Sequence, residues 1–230
     1  MAVLWIPCVL NADVNFSMQK EGISPEDNFF VQGFMGFVWF LFPASMTVAA
    51  VLITQTERCG RGILKMLSLP VHTGALCLVK FVMMLFLLAV EMAVMTGAYF
   101  LAAAAASHFE NYSFSVPASM VFQTAGLLFA ASLPMAAFYY MLSVCVRTSV
   151  FSVGIGLAVI VPSVLVMNTK AWFLYPMCYP FRIITAKMHE LAANMGSFAY
   201  EPVPWIPAAA AIGAACLAAA CLCFGKVERR

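Results

Sequence analysis

Charge is what this sequence has least of. Asp, Glu, Lys and Arg make up 10% of its 230 residues, against about 25% in an ordinary soluble domain. That is too little to cover a water-facing surface. The formal net charge of +2 also excludes the strongly basic face on which nucleic-acid binding depends. Polar and apolar residues do not alternate, which excludes a membrane barrel. There is no GxxxxGK[ST], so this chain carries no P-loop for ATP, and neither HExxH nor GxSxG occurs. The eight cysteines form no CxxC, and most lie in apolar runs, where a thiol serves as a small packing residue. His72, His108 and His189 fall in separate segments and predict no shared metal site. No internal repeat of about 20–50 residues is present.

What the chain does have is apolar residues (64%) in long unbroken blocks. In lipid every backbone polar group must be satisfied within the protein, so such blocks are helices. The expected fold is an all-α integral membrane protein, a single transmembrane domain over residues 1–230. Spans are expected at 29–53, 76–103, 117–146, 149–167 and 205–224. Residues 1–10 are apolar but too short to cross about 30 Å of hydrocarbon, and predict a truncated first span or a re-entrant piece. Pro134 predicts a kink in its span. Between Asn168 and Pro204, Phe181, Ile184, Met188 and Leu191 recur at helical spacing, with Arg182, Lys187 and Glu190 between them. That pattern predicts a helix lying at the membrane surface. Asn15-Phe16-Ser17 and Asn111-Tyr112-Ser113 match the glycosylation pattern, which is common by chance.

Lys and Arg collect in cytoplasmic loops. Arg58, Arg61, Lys65, Lys80, Arg147, Lys226, Arg229 and Arg230 fall on one side of the layout, and Lys20, Lys170, Arg182 and Lys187 on the other, with most of the acids. The C-terminus is therefore expected in the cytoplasm. The longest inner loop, 55–80, is polar at first and then runs Gly62-Ile-Leu-Lys-Met-Leu-Ser-Leu-Pro70. Ile63, Leu64, Leu67 and Leu69 can form one apolar strip, Pro70 stops the helix and Gly74 lets the chain turn. A short amphipathic helix between two spans suits docking to a cytoplasmic partner. It also suits a simple surface-lying connector.

The order Glu57, Gly60, Gly62, Lys65-Met-Leu-Ser-Leu-Pro70, Lys80 resembles the first inner loop of type-2 ATP-binding-cassette exporter permeases, and the span layout resembles that family over nearly the whole chain. The resemblance implies a six-span permease with cytoplasmic ends in the bacterial plasma membrane. It would pair with a second permease, identical or related, and be driven by separate ATPase subunits. ATP and Mg would bind the ATPase, and this chain would need no cofactor of its own. The loop would be the coupling helix, with Glu57, Arg58, Gly62, Lys65, Leu67 and Pro70 its contacts to the ATPase. The aromatic stretch before the last span is similar to the family's outer interfacial helices. The small size is similar to permeases of lantibiotic self-protection exporters, which implies a peptide or amphipathic cargo. The chain departs from the family pattern at its N-terminus, where the interfacial helix and full first span are missing or cut.

Glu91 stands apart. It lies eleven residues past Lys80, about 16 Å deep by helical rise, where an ionisable group is costly and a functional candidate by default. Gln123 is expected at similar depth and could bond it. One reading puts the pair in the substrate path or dimer seam; the other makes it a bonded carboxyl that holds helices together. An intramembrane enzyme using Glu91 is the alternative from another class, weakened because acid–base work needs a partner group. A membrane-embedded binding or structural subunit is a third.

Overall fold

The computed structural model describes residues 2–59, 72–146, 148–192 and 202–227. No strand occurs among them. In chain order the helices are α1 (Trp5–Leu10), α2 (Pro25–Gly36), α3 (Phe42–Cys59), α4 (Thr73–Glu110), α5 (Ala118–Cys145), α6 (Ser149–Ile160), α7 (Ser163–Met167), α8 (Tyr179–Leu191) and α9 (Pro202–Val227), with short 3-10 turns at Ala2–Leu4, Ala12–Glu21, Trp172–Leu174 and Pro176–Cys178. Among the described residues, five stretches are long and apolar enough to cross a membrane: Pro25–Gln55, Thr73–Glu110, Ala118–Cys145, Ser149–Met167 and Trp205–Phe224. Each overlaps one of the five full spans expected. The piece before Asn11 is helical over Ala2–Leu10, only about 13 Å at helical rise.

Local chemistry explains the helix ends. Ser24 caps α2, accepting from Asp27 N at 3.3 Å and donating to Asp27 Oδ2 at 2.7 Å. Pro25 takes the first helical position, and Glu26 and Asp27 face the positive end of the helix. Gly22 (φ 77°) ends the Ala12–Glu21 turn, and Asn111 (φ 52°) follows α4, in the left-handed region that Gly and Asn tolerate best. A π turn at Phe37–Leu41 joins α2 to α3 just before Pro43. Proline has no N–H and its ring clashes with the carbonyl four residues back, so the wider turn relieves both problems.

The described residues form two compact units. The first gathers Met1–Leu41, Val90–Ala131 and Tyr179–Glu201; the second gathers Phe42–Ala89, Ser132–Cys178 and Pro202–Arg230. The first is organised around Trp5, which is 3% exposed. Its ring lies 5.4–5.9 Å from those of Phe29, Phe34 and Tyr99, and its Nε1 donates to Met95 O at 3.3 Å. Tyr99 in turn pins the segment after α4, its hydroxyl donating to Phe114 O (3.3 Å) and accepting from Val116 N (3.0 Å). Tyr112 donates to Glu26 Oε2 at 2.5 Å, and this bond to a carboxylate holds the phenol above its ordinary pKa. A β-carbon added at Gly33 would collide with the Trp5 ring. Gly33→Leu is therefore expected to expel Trp5. In a variant whose other tryptophans are phenylalanine, its emission should shift to the red and acrylamide quenching should increase; unchanged emission would refute the anchor.

α8 forms where the surface helix was expected and packs on α2. Its buried side is Tyr179, Pro180, Ile183, Ile184, Thr185 and Ala186, so the inward face is displaced from the Phe181–Met188–Leu191 strip. Lys187 and Glu190 pair on the outside at 3.0 Å.

The second unit packs α3 against α6. The approach is close enough that a β-carbon at Gly156 would collide with the Thr47 side chain. Buried hydroxyls return their protons to the helix carbonyls one turn back: Thr47 to Pro43 O and Thr54 to Ala50 O (both 3.0 Å), and Ser143 to Tyr140 O (2.8 Å). This satisfies them without water. Large side chains such as Val82, Phe86 and Phe151 face outward, as suits a chain whose surroundings are lipid rather than water.

Candidate functional site

The candidate site is the junction between α3 and α4, the two helices that carry the 55–80 loop. Glu57 and Arg58 lie on the last turn of α3. Gly62, Lys65, Leu67 and Pro70 lie outside the described residues, as does the expected coupling helix. The frame that receives the loop is well defined. α4 opens with Ala75 N and Leu76 N donating to His72 O at 3.0 and 3.3 Å. One turn on, Cys77 O accepts from the Tyr140 hydroxyl of α5 at 2.8 Å, and Phe81 lies 5.5 Å from the Tyr140 ring. Tyr140 is wholly buried (0% exposed).

Lys80 is 5% exposed, with its ammonium 4.3 Å from the ring centre of Phe224 on α9. A cation over an aromatic face is stabilised by the ring quadrupole, more so when water is excluded. The N-terminal turns of α4 are thus fastened to α5 through Tyr140 and to α9 through Phe224. Cys221 of α9 approaches Gly74 O at 3.9 Å, a weak contact that adds position rather than energy.

Of the second candidate pair, Glu91 is half-buried near the middle of α4, and Gln123, in the second turn of α5, is exposed. Among the described residues no group of three His, Cys, Asp or Glu side chains could hold a metal ion. The tie from Tyr140 to α4 joins residues 63 apart in the chain, and no sequence pattern marks it. The available signal was the phenol itself, because a buried tyrosine hydroxyl usually finds a partner.

A family model described as ABC-2 family transporter protein matches residues 1–163, well over half the chain. The chain belongs to that family. It is a membrane permease subunit of an ABC exporter, multi-pass and non-catalytic, and ATP is hydrolysed by the ABC ATPase subunits with which it works. The matched region runs from α1 through α6 and includes the whole 55–80 loop. No curated protein and no solved structure matches the chain.

Proposed function

We propose that this permease pairs with a second permease, identical or related, in the bacterial plasma membrane. It exports a peptide or amphipathic molecule, with a lantibiotic as the most specific form of that cargo. The C-terminus and the 55–80 loop face the cytoplasm. ATP and Mg act on the partner ATPase, and the loop residues Glu57, Arg58, Gly62, Lys65, Leu67 and Pro70 meet that subunit. The observation that carries the reading is the double fastening of α4 by Tyr140 and Phe224 just beyond the loop. Glu91 and Gln123 are assigned to the substrate path or the seam between the two permeases.

The test is co-purification from mild detergent. The wild-type chain is expected to bring down its ATPase. Leu67→Asp places a charge in the apolar strip and should reduce recovery at least about tenfold, as a loss of roughly 1.4 kcal/mol or more would. Equal recovery with Leu67→Asp and with a Pro70→Ala variant would remove the loop from the interface.

A further inference from the structure

Not every enclosed hydroxyl of the second unit is returned to its own helix. Tyr139 on α5 is 1% exposed and Ser152 on α6 is 2% exposed. Neither the Tyr139 hydroxyl nor Ser152 Oγ has a hydrogen-bond partner within the chain, which is costly for a polar atom kept from solvent. Both belong to the packing of α3, α5 and α6. Tyr139 faces Thr47 of α3, and the Tyr175 phenol lies within electrostatic range. Thr47 is also the residue pressed against Gly156. Ser152 lies one turn before Gly156, and Ser152, Gly156 and Ile160 form the buried side of α6.

The protons around Tyr139 are already committed, and this defines the missing partner. Thr47 donates to Pro43 O at 3.0 Å, and Tyr175 donates to Val159 O. A hydroxyl has one proton and two lone pairs. What remains is one free donor, on Tyr139, and acceptor lone pairs on Tyr139, Thr47 and Tyr175. The fitting guest accepts one proton and donates to the oxygens around it. A metal cation accepts nothing and would strand the Tyr139 proton, and none of these groups is a carboxylate that could balance its charge. An anion would take the proton and strand the lone pairs. A lipid headgroup, or a side chain of another subunit, cannot reach atoms that this chain encloses. Water both accepts and donates, and makes about three bonds in sites of this kind. It is also small enough to lodge where Gly156 and Thr47 are already in contact.

We infer that the packing of α3, α5 and α6 holds bound water, one molecule at the Tyr139 hydroxyl and one at Ser152 Oγ. These helices are then joined through exchangeable bridges instead of direct side-chain bonds.

Tyr140 supplies a control one residue away. It is as deeply enclosed as Tyr139, at 0% exposed, but its proton is committed to Cys77 O. The full chain in phosphatidylcholine nanodiscs is exposed to short X-ray pulses, which split bound water into hydroxyl radicals in place. Oxygen addition to each tyrosine is followed by tandem mass spectrometry. Tyr139 is expected to be oxidised several-fold faster than Tyr140, and in water of a heavy oxygen isotope the added oxygen should carry the label. Equal rates would mean that solvent reaches both rings through an opened bundle, and an unoxidised Tyr139 would mean a dry site; either overturns the inference at Tyr139. At Ser152 the sign of a stability change decides. In a dry site Ser152→Ala deletes an orphan and raises the midpoint of thermal unfolding in detergent. With water bound, the bridge loses an anchor and the midpoint is expected to fall. A raised or unchanged midpoint would overturn the inference at Ser152.

Discussion

Gly156→Leu is expected to disrupt the second unit more than any other single change on α6. Thr47 is wholly enclosed, its hydroxyl is committed to Pro43 O, and as a β-branched residue in a helix it has little rotamer freedom. A β-carbon at Gly156 meets that side chain directly, so neither partner can give way and the helices must separate. Overpacking of this kind costs about 1–3 kcal/mol, and more where nothing relaxes. The apolar surroundings offer no compensating hydrophobic drive, because lipid is as apolar as the helix face and small residues at the crossing set how closely spans approach. The measurement is resistance to unfolding in detergent, with Gly156→Ala and Thr47→Ala as single variants and as a pair. The pair should recover part of the loss, with a coupling of about 0.5–3 kcal/mol. Additive losses would refute the contact.

Tyr140→Ala carries the second large effect. It empties the space of a fully buried aromatic ring, and such truncations cost about 3–5 kcal/mol. It also removes the donor to Cys77 O and the ring beside Phe81. Tyr140→Phe separates the two contributions. It keeps the packing and loses only the hydroxyl, for about 0.5–1.5 kcal/mol. If alanine proved as mild as phenylalanine in a thermal-unfolding series, the ring would not be the wedge between α4 and α5 that the structure depicts.

Much of this architecture is legible in the sequence, and the reason is the bilayer. A helix that must cross hydrocarbon announces itself by an unbroken apolar run. The stretches Ser149–Met167 and Trp205–Phe224 therefore fall on the residues expected, and Ala118–Cys145 differs by a residue at each end. The 55–80 loop was recognisable by its order of Glu, Gly, Leu and Pro, and the family match covers it. What the sequence did not reveal are contacts between residues far apart in the chain. Nothing near Lys80 in the sequence points to Phe224. Gly33 and Gly156 look like ordinary small residues of membrane helices until Trp5 and Thr47 are seen against them. On α8 the periodicity predicts the helix, and its packing against α2 adds a protein-facing side that no sequence pattern marks. Ile183 and Ala186 are buried along with Ile184, because α2 decides which face is covered.

We propose that force from the ATPase enters at the 55–80 loop and passes into the spans through the fastening at the start of α4. The most direct test is the ratio of cargo transported to ATP hydrolysed in proteoliposomes that contain the whole exporter, with Tyr140→Phe and Lys80→Met combined in this chain. The ATPase is expected still to assemble and to hydrolyse ATP while the ratio falls at least about tenfold, because the loop would move without carrying α4, α5 and α9 with it. An unchanged ratio in a complex of normal stability would show that the fastening takes no part in coupling.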